Sequence, residues 1–392
     1  MNAAAHAVYK KGNSVDISNQ NQKQKKIACL AIALIIFLLL SFFMNVKSSS
    51  KVQLLDNNGR SFQKGVVTKV LGSSGGTQQV RIRLTTGKLK GEVITARSTN
   101  SYLYGAKCKE GSHVVILLSQ VKNTSDVSVY SIDRGWKIWL MVGIFIAIVV
   151  LIGGRKGIYS IAGLIFTILC LFFVFLPMVY RGFSPIFTAI LICALTTFAT
   201  MILIDGLTRK SIAAILGTII GVIGAGIFAW IFGAVTDIGG LNVSDIEQLI
   251  YVGQMTKIKI GQLLSAGILI AALGAVMDVG MSVASFLSEL HDKNPDLSGK
   301  ELFKSGMNVG RDMMGIMTNT LILAFAGGSI NTLIYVYAYA YPYREVINMY
   351  SVGIEIMQGL SSSLGVVLTI PATALIAALY FGRKKIEKKA DN

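Results

Sequence analysis

The chain has 392 residues, of which 53% are hydrophobic and only 15% charged, with a mean hydropathy of +0.61. Soluble globular chains carry roughly 25% charged residues, so this composition excludes a soluble globular protein and predicts an integral membrane protein. A net charge of +17 invites a nucleic-acid reading. The Lys and Arg residues instead gather at the ends of apolar runs, as cytoplasmic loops of membrane proteins do, and no nucleic-acid partner is expected.

In chain order, residues 1–26 are polar, with Lys10, Lys11, Lys23, Lys25 and Lys26, and read as a disordered cytoplasmic tail. Residues 27–46 form an apolar run longer than the roughly 7 to 15 residues of a signal-peptide core. Lys47 and three serines follow it, which predicts an uncleaved first transmembrane helix. Residues 50–133 change character. Turn signals at Asp56-Asn57-Asn58-Gly59, Gly72-Ser73-Ser74-Gly75-Gly76 and Thr86-Gly87-Lys88 separate short β-rich runs at 63–71, 78–85, 91–96, 113–120 and 127–132. Val80-Arg81-Ile82-Arg83-Leu84 alternates apolar and charged, as a half-buried strand should. Short strands at this spacing predict a small extracytoplasmic barrel of OB-like or SH3-like type between helices 1 and 2. The domain is basic, which leaves open an anionic envelope polymer or a protein partner, or simply a solvated surface.

The remainder, 137–381, reads as a seven-helix membrane domain. Spans fall at 137–153, opened by the interface aromatics Trp136 and Trp139, then at 158–178, 185–204 and 211–235. Pro185 stands at a helix start, where its missing N–H costs nothing. The glycines from Gly217 to Gly233 favour close helix packing. Residues 241–259, with Asp245, Glu247, Lys257 and Lys259, suit an amphipathic surface helix. A span at 260–285 is followed by a polar loop at 289–304, where Ser298 and Glu301 form a capping box for the next helix. That helix enters the membrane near Arg311 and reaches at least Phe325, and Gly327-Gly328-Ser329 is placed to break it. Residues 330–341 either finish it or form a separate segment. An amphipathic stretch at 343–359, a final span at 360–381 with Pro371 as a kink, and a basic cytoplasmic tail at 382–392 complete the chain. This is a polytopic α-helical fold of about eight transmembrane helices. With both termini cytoplasmic and the β domain outside, Arg155/Lys156, Arg209/Lys210, Lys293/Lys300/Lys304 and the cluster from Arg383 to Lys389 all fall inside.

Two stretches carry the polar residues that a lipid-facing helix cannot use. On a helix, Asn308, Asp312, Gly315 and Asn319 share one face beside Arg311, and Gly267, Ala271, Gly274, Asp278, Ser282 and Ser285 share another. Unpaired polar groups cost several kcal/mol in hydrocarbon, so both faces should meet other helices or water. The natural pairing is Asp278 with Arg311, or with the Asn308 and Asn319 amides, and the plain alternative is a structural pair that only fixes helix register. Asp205, Asp237 and Glu355 fall at span ends and read as interfacial. Cys29, Cys108, Cys170 and Cys193 form no C-x-x-C, and His6, His113 and His291 lie far apart, so no disulfide framework, metal site or cofactor is expected.

The stretches GAVMDVGMSVAS (274–285) and SGMNVGRDMMGIMTNTLILAFAG (305–327), after an outer β module and one helix, resemble the YibE/F-like family of bacterial multitransmembrane proteins. The layout is similar to its YibE-type members over nearly the whole chain. The resemblance implies a multi-pass protein of the bacterial plasma membrane and points at Asp278, Asn308, Arg311, Asp312 and Asn319; it names no substrate. Three functions compete. A transporter or permease would use Asp278, Ser282, Asn308, Arg311, Asp312 and Asn319 as a solute or ion path. A non-catalytic assembly or sensing protein, alone or as a homo-oligomer, would bind a partner through the barrel. An intramembrane enzyme would need Asp278 and Asp312 as a dyad near the inner ends of their spans. No H-E-x-x-H, nucleophile elbow or membrane histidine supports it, so the chain is read as a non-enzyme. No G-x-x-x-x-G-K-[ST] occurs, so ATP hydrolysis on this chain would not drive transport.

Overall fold

The structure, a computed structural model, describes residue 28 and residues 31–43, 60–99, 105–121, 124–243 and 246–382. The tail at 1–26, Cys29, the turn at Asp56–Gly59, Asp245 and the cluster from Arg383 to Lys389 lie outside the described residues. The chain divides into two compact units, Gln53–Ile152 and the rest.

The first unit is built on five strands, β1 (Arg60–Ser74), β2 (Thr77–Leu84), β3 (Val93–Thr99), β4 (His113–Val121) and β5 (Thr124–Ile132). They close into a barrel in the order β1-β2-β3-β5-β4. β1 pairs antiparallel with β2 through its second half and with β4 through its first, and a parallel β3–β5 contact, Arg97 opposite Ser128, completes the ring. That connectivity is the OB arrangement. β1 serves both neighbours because bulges between Val67 and Lys69 and between Val70 and Gly72 bend it. Gly65 sits where it changes partner: a Cβ there would meet Ile82 Cγ2 at 2.5 Å and Ile116 Cδ1 at 3.0 Å. In β2 the alternation becomes Val80, Ile82 and Leu84 inside and Arg81 and Arg83 outside. Val67, Ala96, Val114, Ile116 and Val129 complete the barrel core.

The helical part contains α1 (Ala31–Phe43) and α2 (Gly135–Cys170), which continues through a π-helical turn, Leu171–Phe175, into α3 (Leu176–Tyr180). Gly135–Tyr180 is 46 residues of helix in two parts, divided by a kink at Gly154. At 1.5 Å per residue it would extend about 69 Å, over twice a bilayer's hydrocarbon thickness. It is interrupted at Gly154, whose φ of 53° and ψ of −133° only glycine adopts readily. The helices expected at 137–153 and 158–178 are therefore the two that meet at the Gly154 kink.

Next come α4 (Pro185–Asp205), capped by Ser184, α5 (Arg209–Thr236), capped by Thr208, and the short α6 (Ile246–Met255), which buries no residue. α7 (Leu263–Lys293) follows a 3-10 turn, and α8 (Gly299–Gly328) starts at the expected capping box. There the Ser298 N–H donates to Glu301 Oε2 at 2.7 Å, and Ser298 Oγ accepts the Glu301 N–H at 3.4 Å. α9 (Ile330–Ala338) leaves α8 at a bend of 64° beside Gly327-Gly328-Ser329. After α10 (Tyr343–Asn348) the chain turns extended at Met349, and α11 (Tyr350–Gly382) runs as one helix through Pro371. The last helix thus begins about ten residues before the expected 360. Its first turns bury Gly353, Ile354 and Met357, with Gly353 against Ile238, and this packing overrides the local polarity. Among the described residues, five helical stretches have the length and apolarity to cross a membrane, or up to six if the bent α8–α9 pair is one crossing.

α11 is the axis of the bundle. On α5, Gly217 faces Thr373 and Gly221 faces Thr369, and a Cβ on Gly221 would lie 2.7 Å from the Gly365 carbonyl. On α8, Gly306 lies against Leu287 and Ala374, and Gly310 against Ile370. Residue pairs that climb one helix descend the other, so α5 and α8 run antiparallel to α11. Val276 and Gly280 of α7 reach Gly365 and Thr369 in the same order, so α7 runs parallel to α11. Glycine replaces side-chain volume with backbone contact at these crossings, which suits bundles in lipid, where apolar transfer gives no drive to associate.

Candidate functional site

α7 and α8 carry every residue of the path expected from the sequence. α7 buries Ile268, Leu269, Ala272, Val276, Val279, Val283 and Leu287 against the bundle. Its opposite side presents Gly267, Ala271, Gly274, Asp278 and Ser282, all exposed on the surface of the chain. α8 buries Leu302, Gly306 and Gly310 and half-buries Met313 and Met317. Asn308, Arg311, Asp312, Gly315 and Asn319 are exposed on its outward side. A Cβ added at Gly267, Gly274 or Gly315 would meet no atom within 4 Å.

The two polar faces are therefore open. Among the described residues, no hydrogen bond or ion pair joins Asp278 to Arg311 or to either amide. Ion pairs are formed elsewhere, among them Lys64–Asp133 (2.8 Å), Lys210–Asp205 (3.2 Å) and Lys293–Glu289 (2.9 Å). The expected Asp278–Arg311 pairing is not formed. The reason is angular: the α7–α8 seam runs through Leu287 and Gly306, and Leu287 lies about 180° around α7 from Asp278.

Height along the bundle does match. Asp278 stands about 22 Å from the Lys293 end of α7, and Arg311 and Asp312 about 18–20 Å from the Gly299 end of α8. A short turn joins those two ends, so the charged groups occupy one level along the two helices.

A buried polar layer escaped the sequence reading. Ser361, Ser362 and Ser363 of α11, Thr369 and Thr373 one to three turns on, Thr218 of α5 and Thr197 of α4 are all enclosed. Thr369 Oγ donates to the Gly365 carbonyl at 2.8 Å. The hydroxyls of Ser361, Ser362, Ser363, Thr218, Thr373 and Thr197 have no hydrogen-bond partner in the structure. Three consecutive serines inside an apolar run were a visible signal, because successive positions 100° apart must turn at least one hydroxyl inward. Asp205, read as interfacial, pairs with Lys210 across the α4–α5 turn, and Asp237 caps α5 in a left-handed conformation with φ of 54°. Among the described residues, no group of three or more His, Cys, Asp or Glu side chains is placed to hold a metal ion.

The family model described as YibE/F-like protein matches residues 141–383. The match takes in α2 from Met141 through α11 and contains both polar faces. The barrel and α1 lie outside the matched residues. Among curated proteins and solved structures, nothing matches this chain.

Proposed function

The chain belongs to the YibE/F-like family, and on that premise we propose that it is a secondary transporter or permease for a small solute or ion. The observation that carries this reading is Asp278: a carboxylate midway along an apolar helix, on the open side of the bundle, with no ion partner among the described residues. Ionisable groups at such depth face water or a partner, because hydrocarbon does not hold them cheaply. Ser282 below it and Asn308, Arg311, Asp312 and Asn319 at comparable heights on α8 supply the other polar groups of a path. The bend between α8 and α9 supports the same reading, since interrupted helices are a recurrent feature of transporter substrate sites. In this reading a second copy or a mobile neighbouring helix covers the path on its lipid side.

The topology that goes with it has eight crossings in the bacterial plasma membrane. α1 counts as one, the run from α2 to α3 as two divided at Gly154, α4, α5, α7 and α11 as one each, and the bent α8–α9 pair as one. Both termini then lie in the cytoplasm and the barrel outside, and the antiparallel and parallel contacts of α5, α7, α8 and α11 follow the alternation this order requires.

A second reading, an envelope assembly or sensing protein, is favoured by one feature of the barrel. A cleft of about 840 Å³ carries Arg60 and Lys88 with the exposed Phe62, whose ring meets Tyr130 edge-on at 5.2 Å. Cations beside an open aromatic pair suit an anionic polymer or an acidic protein segment.

The test is a thermal-stability screen of the purified protein against ions, metals, amino acids and small metabolites, run beside Asp278→Asn. A ligand of the path raises the midpoint of the wild type by mass action and loses its effect in the variant. Ligands that act alike on both proteins, or none that act at all, count against the path and favour the barrel reading.

A further inference from the structure

No charged side chain stands anywhere in residues 313–343, which take in the second half of α8, the bend and all of α9. Within α9 and just beyond it the sequence turns to tyrosine, at Tyr335, Tyr337, Tyr339, Tyr341, Tyr343 and Tyr350. Neither α9 nor α10 buries a residue. Tyr337 is 89% exposed and Tyr343 77%, and Leu333 and Ile334 of α9 are exposed beside them. The rings gather on one another, Tyr335 with Tyr339 at 6.4 Å between centroids and Tyr339 with Tyr341 at 5.6 Å. Among the described residues, no hydrogen bond takes up their hydroxyls.

Neither water nor hydrocarbon suits such a surface. In water, leucine, isoleucine and phenol rings would stay uncovered side by side. In hydrocarbon, each hydroxyl would lack a partner at a cost of several kcal/mol. The boundary between the two serves both ends of the side chain, the ring among acyl chains and the hydroxyl among headgroups. The geometry agrees. At 1.5 Å per residue α8 is about 45 Å long and crosses the roughly 30 Å of bilayer hydrocarbon by itself. α9 then departs at 64°, so with α8 upright its nine residues climb only about 6 Å, the depth of one headgroup layer. Ala340, with φ of 50°, and Pro342 end α9 before it climbs further. The surface also continues the lipid-facing sides of the spans that lead into and out of it, where Leu323 of α8 and Leu360 of α11 are exposed. We propose that α9 and α10 lie along the headgroup layer of the bilayer, with phospholipid as the partner and the tyrosines as the anchors. This surface shares no residue with the path around Asp278. It sets the α8–α9 bend at one mouth of that path and stands whether or not the path conducts.

The test is depth. The full-length protein, carrying Trp136→Phe, Trp139→Phe and Trp230→Phe, is placed in nanodiscs of phosphatidylcholine and phosphatidylglycerol with a single reporter, Tyr335→Trp or Tyr337→Trp. Its emission is read with lipid brominated near the headgroup end of the chains, with lipid brominated near their methyl end, and with iodide in the water. The expected result is loss of most of the emission with the first lipid, a smaller loss with the second and little with iodide, in the same order for both reporters. The strongest loss with the deeply brominated lipid overturns the proposal and makes α8–α9 a re-entrant segment. The strongest loss with iodide overturns it by leaving the segment in water. No loss with any quencher overturns it as well, because protein, such as a second copy of the chain, then covers α9. The part of the tyrosines is read with the reporter at Leu333→Trp. Tyr335→Ser, Tyr337→Ser and Tyr339→Ser together should shift its quenching from lipid towards iodide, and an unchanged pattern overturns their role as anchors. If that triple variant does not fold, the two single reporters decide alone.

Discussion

Asp133, at the junction of β5 and α2, shows how a single side chain ties strand to helix. Its carboxylate takes the Lys64 ammonium at 2.8 Å and the Gly135 N–H at 3.2 Å. The Lys64 hydrogen bond is the larger cause, and together they hold the carboxyl below the usual aspartate range against the opposing effect of burial. A depressed folded-state pKa means stabilisation that is complete above the unfolded value, about 3.9, and lost as pH falls through the folded one. Lys64→Met should therefore lower the unfolding midpoint at pH 7 by a modest amount, no more than about 1 kcal/mol because Lys64 is half exposed. The gap between variant and wild type should close as the pH is lowered below about 4. A gap that stays constant from pH 7 to pH 3 removes the ion pair from the explanation. Legibility at this scale was uneven. Asp278 announced itself because a charge in an apolar run has no innocent place to go, and which residue it faces was not legible, because partner choice depends on the rotation of α7 about its own axis. Ser361 to Ser363 were overlooked for the opposite reason: hydroxyls are tolerated on any helix face, so their enclosure is decided by the three helices around α11.

Elements were legible where a period is enforced by two-sided packing. All five strands lie within a few residues of where alternation and turn residues put them, and the capping box sets the start of α8. The start of α11 was misplaced because Glu355 and Gln358 made its first turns look like a surface helix, whereas the packing of Gly353 and Met357 continues the span. The same distinction between enclosed and open faces gives a prediction at this scale. Gly221→Val forces new atoms onto Thr369 and onto the Gly365 carbonyl, 2.7 Å from the added Cβ, and should cost about 1–3 kcal/mol or prevent assembly of α5 on α11. Gly274→Ala meets nothing within 4 Å and should gain about 0.5–1 kcal/mol from helix propensity. Thermal midpoints of the two variants in one detergent decide the matter. If Gly274→Ala destabilises as much as Gly221→Val, the outward face of α7 is packed against something, and its polar residues do not line an open path.

For the molecule as a whole, the proposed topology has eight crossings, and the helix contacts constrain the directions of four of them. α5 antiparallel to α7, α7 parallel to α11, and α8 antiparallel to α11 fix four directions relative to one another. The Lys and Arg clusters at 155–156, 209–210 and 293–304 then fall on one side only if Gly135–Tyr180 crosses twice. That run can double back at Gly154, where two helices meet at a kink and the φ of 53° departs from helix. Single cysteines introduced at exposed positions separate the outcomes, read in intact cells with a membrane-impermeant maleimide. Lys88→Cys on the barrel should label from outside, and Lys156→Cys and Lys293→Cys should label only after lysis. If Gly135–Tyr180 crosses once, Lys156 no longer has to lie across the membrane from the barrel, and α4, α5, α7, α8 and α11 all reverse direction relative to it. Lys293→Cys would then label from the same side as Lys88→Cys, and with the orientation reversed the inner end of the Asp278 path would open to the outside of the cell.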